Sequence, residues 1–187
     1  MLEKISYIDR QLFIFLNGLG SETYDGLWLM ITKQINWLPF FILLLYLILK
    51  KIGTKQALIL IVFVAVLITF TDQVTNLFKN GFQRIRPCNE PEIRDVIRVV
   101  KSSNSYSYFS GHAANSMAVA MFLYLIFKQH FNYFGFLFLW PLIFAYSRIY
   151  LGLHYPFDIV SGYLFGMLSG FLMFKLYKLA KGKYFSQ

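Results

Sequence analysis

The sequence predicts an all-α fold: an integral membrane helical bundle with about five spanning helices and an N-terminal helix lying at the interface. Three observations predict it. Of 187 residues, 57% are hydrophobic and 20% aromatic, while only 14% are charged; a soluble domain carries roughly a quarter charged residues. The apolar residues gather into segments long enough to cross a bilayer, with one long polar stretch between them. Lysines concentrate at one set of segment ends, the pattern of short cytoplasmic loops. A chain of this length suits one compact bundle, so residues 1–187 are read as a single membrane-embedded domain with a motif-bearing core at 79–158.

Residues 8–19 read as an amphipathic helix too short to span. The first span runs from Tyr24 to Leu49, and Lys33, Asn36 and Pro39 predict a kink or break in its early part. The second, 55–78, is the clearest, long enough at about 1.5 Å per residue to cross the hydrocarbon core. A polar stretch, 80–109, follows. The third span is 110–127, the fourth 133–153 with Pro141 inside it, and the fifth 157–174. Trp37, Tyr106, Tyr133 and Tyr155 sit near span ends, as interfacial aromatic residues do.

The net charge of +9 raises a nucleic-acid reading, and its distribution argues against it. Lys50, Lys51 and Lys55 flank one pair of spans, Lys128 lies between another, and Lys175, Lys178, Lys181 and Lys183 follow the last, with no acid among them. This is the cytoplasmic side of a membrane protein, with affinity for anionic headgroups. No nucleic-acid partner is expected. Met1 to Gly20 lacks the basic start, apolar centre and small-residue cleavage site of a signal peptide, and the expected location is a bacterial inner membrane. The single cysteine, Cys88, excludes an intramolecular disulfide.

Three polar clusters interrupt the oily chain: Lys79 with Arg86-Pro87, then Ser110-Gly111-His112, then Ser147-Arg148 with His154 and Asp158. If the lysine-rich ends are cytoplasmic, alternation of span direction carries all three clusters to the opposite, extracytoplasmic rim. Two histidines, an aspartate and three cations there describe a site for a phosphate ester. Phosphate-ester hydrolysis is among the slowest uncatalysed reactions. It needs cations and N–H donors around the transferring group, a nucleophile, and an acid for the leaving oxygen. Lys79, Arg86 and Arg148 supply cations. Ser110 and Gly111, opening a helix, offer a hydroxyl and free backbone N–H groups. His154 and Asp158 lie four apart, so on a helical turn the carboxylate can hold the imidazole's tautomer. His112 is left as the acid. Singly, each residue has an ordinary structural explanation, a snorkelling arginine for example; jointly they divide the roles of one reaction.

The spacings Lys79-x6-Arg86-Pro87, Ser110-Gly111-His112 and Ser147-Arg148-x5-His154-x3-Asp158 resemble the three signature motifs of the type 2 phosphatidic acid phosphatase superfamily, in matching order over residues 79–158. The resemblance implies a metal-independent phosphatase of membrane lipid phosphates or pyrophosphates, without a cofactor. In it His154 attacks phosphorus to form a phosphohistidine, Asp158 orients it and His112 protonates the leaving group. Lys79, Arg86, Ser110, Gly111 and Arg148 would hold the phosphoryl oxygens. A lipid phosphotransferase using the same site is the alternative. Phe109 stands where the family usually has Pro before Ser-Gly-His, which leaves that turn's geometry open, or places a ring against an acyl chain. Undecaprenyl pyrophosphate, phosphatidylglycerol phosphate, phosphatidic acid and the phosphates of lipid A are all candidate substrates, with the arginine-rich loop 84–101 expected to select among them.

Transport, the reading from another class, needs polar residues through the full depth of a bundle, and Ile59–Val66 and Phe122–Phe127 are almost wholly apolar. Asp72, costly inside a span at about 2.5–3.5 kcal/mol, is either functional or partnered by Lys33, Asn76 or Lys79. Gly162, Gly166 and Gly170 repeat every four residues as a close-packing surface, for a neighbouring span rather than a second copy; oligomeric state stays open. His130 reads as solvated.

Overall fold

The computed structural model describes the backbone of residues 2–184 and the side chains of residues 3–182, so Lys183 lies outside the described side chains. Six α-helices make up the described fold: α1 (Leu2–Gly18), α2 (Glu22–Ile31), α3 (Leu38–Phe82), α4 (Gly111–Phe127), α5 (Leu139–Tyr150) and α6 (Pro156–Tyr184). Two stretches, 34–89 and 156–182, are long and apolar enough to cross a membrane, with mean hydropathies of 2.4 and 1.6. Apolar side chains such as Leu43, Val62, Leu77 and Leu164 stand more than half exposed, which in lipid is their satisfied state.

The predicted first span breaks where Lys33, Asn36 and Pro39 placed a break. Lys33 is extended, at φ −82° and ψ 118°, and residues Gln34–Trp37 form a single 3₁₀ turn before α3 begins. Asn36 and Trp37 satisfy the open end of α2 by donating to the Met30 and Ile31 carbonyls at 2.7 and 2.8 Å. The predicted loop at 50–55 contracts to one residue: Gly53, at φ 76° and ψ 169°, joins two arms of α3. Only glycine takes that conformation without strain. The fourth span is shorter as a regular helix than expected, because residues Phe134–Phe138 form a 3₁₀ turn before α5.

α4 is the central helix, touching α3, α5 and α6, with its most extensive contact to α6. The glycine repeat explains that contact. A Cβ on Gly162, Gly166 or Gly170 would lie 2.7, 2.4 or 2.5 Å from the carbonyl oxygens of Ser110, Ala114 and Ala118. The four-residue steps match on both helices, so the backbones meet turn for turn, as a surface within the chain. This register positions the rim: one turn before Gly162 comes Asp158, whose carbonyl accepts from Ser110 N at 3.0 Å. Gly166→Ala is expected to destabilise the protein by about 1–3 kcal/mol through overpacking. Gly26→Ala, where nothing lies within 4 Å, should gain about 1 kcal/mol of helix propensity. Thermal unfolding in detergent reads both.

At one end of the bundle Lys51, Lys128, Lys178 and Lys181 line a common pocket. The three motif clusters occupy the other end, where α1 lies across the rim. Asp9, Phe13 and Asn17, four apart and thus on one helix face, are fully buried. Asn17 Nδ2 donates to the Ile149 and Tyr150 carbonyls at 3.1 and 3.0 Å, satisfying the open end of α5. Its Oδ1 accepts from Arg98 N at 2.7 Å.

Candidate active site

His154 stands between α5 and α6, and the packing of four segments fixes its ring. Arg86 NH1 lies 3.1 Å from Nε2. A guanidinium only donates, so Nε2 accepts and the proton of the neutral ring sits on Nδ1. Nδ1 in turn lies 3.4 Å from Asp158 Oδ2 and 3.4 Å from Ser107 Oγ. The ring is 1% exposed. Burial first, then the charges of Arg86, Arg148 and Lys79, hold it well below the ordinary imidazole range. The neutral form, with the Nε2 lone pair turned to Arg86, is therefore resident at neutral pH.

Asp158 is held from four directions. It accepts from Arg84 NH1 at 2.8 Å, from the Tyr155 N–H at 2.9 Å and, through a very short contact, from Ser107 Oγ, besides facing His154. Sequence reasoning missed this shell. Arg84 donates its other nitrogen to Asp9 Oδ2 at 2.6 Å, and Asp9 Oδ1 accepts from Phe157 N at 2.8 Å. One buried carboxylate on α1 thus pins both the arginine and the start of α6. Arg84 also stacks over the Tyr155 ring at 4.1 Å. Its place two residues before Arg86 was the one signal available.

The predicted cations converge. Arg86 is clamped by Ser105 O (2.7 Å from Nε), Ser105 Oγ (2.9 Å from NH2) and Leu153 O (2.9 Å from NH1). Arg148, buried near the end of α5, donates to Thr32 Oγ1 at 2.7 Å, and its Nε has no partner among the described residues. Thr32 lies at the break after α2, which explains why the first span must bend. Lys79 is half-buried and near enough to Arg86, Arg148 and Asp158 to feel their charges. His112 faces the same group, in electrostatic reach of Arg148, His154, Lys79 and Arg86. Its ring stacks on Phe144, centroids 5.0 Å apart.

Ser110 caps α4: its Oγ accepts from Ala113 N at 3.4 Å. The hydroxyl is fully buried, which leaves the Gly111 and His112 N–H groups as the open donors of that helix start. Phe109 packs inward against Phe78, Tyr108 and Phe165 and is 3% exposed, so it meets protein rather than lipid. Two arginines of the 84–101 loop are spent on structure: Arg84 as above, and Arg98, which pairs with Asp25 at 2.8 Å. Asp72 accepts from Asn76 at 3.4 Å. Among the described residues no three His, Cys, Asp or Glu side chains group as a metal site requires.

A neutral imidazole backed by a carboxylate, a second imidazole and three cations, at one end of an apolar bundle, define a membrane-embedded phosphatase acting on lipid phosphates. The chain belongs to the PAP2 superfamily, whose profile matches residues 56–181. It is 38% identical over 178 residues to a lipid A 4'-phosphatase of Bacteroides thetaiotaomicron, covering 93% of this chain and 79% of that protein. It is 31% identical over 188 residues to a lipid A 4'-phosphatase of Porphyromonas gingivalis, covering 98% and 78%. The fold superposes on the PAP2-type phosphatidylglycerolphosphate phosphatase of Bacillus subtilis with a TM-score of 0.73, at 18% identity, over 97% of this chain and 89% of that one.

Proposed function

We propose that the protein removes a phosphate from a lipid of the lipid A class at the extracytoplasmic face of a bacterial inner membrane, without a metal, through a phosphohistidine on His154. The observation that carries the reading is the His154 ring, neutral, with Nε2 turned to Arg86 and Nδ1 to Asp158. His154 Nε2 attacks phosphorus, the bond from phosphorus to the lipid oxygen breaks, and His112 gives that oxygen its proton. Water then attacks the phosphohistidine with His112 as base, releasing phosphate and restoring His154. Lys79, Arg86 and Arg148, with the Gly111 and His112 N–H groups, offset the charge on the equatorial oxygens.

Lipid A is favoured among lipid phosphates by the two relatives of that activity, each matched over nearly the whole of this chain. The extracytoplasmic placement is supported by the lysines at the opposite end of the bundle. Arg94 and Lys101, exposed on the 84–101 loop, are the cations left to meet a headgroup. Phosphate release by the purified protein, with EDTA present, tests the reading on a panel of lipid A, phosphatidylglycerol phosphate, undecaprenyl pyrophosphate and phosphatidic acid. Lipid A should be the fastest substrate, and vanadate should inhibit as a five-coordinate phosphorus mimic. Turnover abolished by EDTA and restored by Mg²⁺ or Zn²⁺ would show the mechanism to be wrong.

A further inference from the structure

A cavity of about 400 Å³ opens inside the bundle between the two arms of α3, α4 and α5, within the size range of ligand sites. Its lining is graded. Gln34, Asn115 and Ser116 stand toward the rim, while Ile48, Ala57 and Leu60 close in on the Gly53 turn. On α4 the step from Ser116 to Leu123 is about 10 Å at about 1.5 Å per residue. The polar end adjoins the site. Ser116 Oγ donates to the His112 carbonyl at 2.6 Å, and Phe144 both lines the cavity and stacks on the His112 ring.

Two further observations point to an occupant. Trp140 lines the cavity, and its buried indole N–H has no partner among the described residues; an unpaired buried donor is costly, and an acyl carbonyl would accept from it. Leu45 and Ile61, also in the lining, are 37% and 46% exposed, which gives a chain in the bilayer a sideways route in.

We propose that this cavity binds one acyl chain of the lipid phosphate, with the residues nearest Gly53 limiting its length. The proposal rests on the reading above, that His112 and His154 act on a lipid ester. The polar-to-apolar grade then runs in the order of the substrate itself: ester at the rim, carbonyl at Trp140, hydrocarbon toward Ile48.

The experiment uses a lipid phosphate carrying a photoreactive diazirine at its acyl end, beside the same lipid lacking the phosphate. The phosphorylated probe should label Ile48, Ala57 or Leu60, and the dephosphorylated one should label them at least tenfold less. Both should label the outward-facing Leu43 and Val62 equally. Val64→Trp, which fills the cavity from α3, should cut labelling of the cavity tenfold or more and raise KM for long-chain substrate. Turnover of the tailless nitrophenyl phosphate should be unchanged. Equal labelling by the two probes overturns the proposal, as does a Val64→Trp protein whose KM is indifferent to chain length. So does an equal loss on tailless and lipid substrates. Labelling of the cavity by an enzyme that releases no phosphate from any lipid would leave the binding site standing and overturn the proposed reaction instead.

Discussion

The His154→Ala protein is expected to lose turnover on lipid phosphate and on nitrophenyl phosphate alike, by on the order of 10⁶-fold, as when a catalytic nucleophile is removed. It should form no acid-labile phosphoenzyme. The His112→Ala protein should behave differently on the two substrates. A lipid alcohol is a poor leaving group and needs its proton, so the loss there should be about 10²–10⁴-fold, the usual worth of a general acid. Nitrophenolate leaves without help, so the activated ester should still give a phosphorylation burst. Phosphoenzyme should then accumulate, because the base for the hydrolytic step is gone. Rapid-quench measurement of product and bound phosphate separates these cases. The reverse pattern would exchange the two roles, and full activity in both variants would place the chemistry elsewhere.

Arg84→Ala is expected to cost about 3–5 kcal/mol of stability, the range for removing one partner of a buried ion pair. The reason is local: it leaves Asp9 and Asp158, at 1% and 0% exposed, as carboxylates without their shared cation. Asp9→Asn should cost less, since an amide oxygen can still accept from Phe157 N. It should lower kcat with little change in KM, because Asp9 meets Arg84 and the α6 backbone rather than the substrate. Asp9 lies on α1, before the residues 56–181 that match the superfamily, and its partners Arg84 and Phe157 lie within them. In a double-mutant cycle the Asp9 and Arg84 substitutions should be non-additive by about 0.5–3 kcal/mol. Additive effects would mean the two act separately.

The parts of this site that could be read from the sequence are those whose chemistry is carried by short, local spacings. His154 and Asp158 are four apart, Ser110-Gly111-His112 is contiguous, and Lys79 and Arg86 flank one helix end. Span alternation alone was enough to bring them to one rim. The supporting shell was not legible, because its bonds join residues far apart whose types are common. Arg84 to Asp158 spans 74 positions, Thr32 to Arg148 spans 116, and Asp9 to Phe157 spans 148. Ser107 is one of several serines in the polar stretch 80–109, and Asn17 falls within the predicted interfacial helix 8–19. The break at Lys33 was visible from residue types, yet its purpose, delivering Thr32 to Arg148, appears only in three dimensions. The same holds for the glycine repeat: its spacing marked a packing face, and the structure names the Ser110, Ala114 and Ala118 carbonyls as what that face meets.

In the proposed reaction phosphorus passes through His154. The most direct measurement quenches the enzyme in alkali during turnover of a phosphate-labelled lipid and maps the label by mass spectrometry. An acid-labile, alkali-stable phosphoryl group is expected on His154, absent in His154→Ala and enriched in His112→Ala. Label on His112, or an acid-stable phosphoester on Ser107 or Ser110, would contradict it.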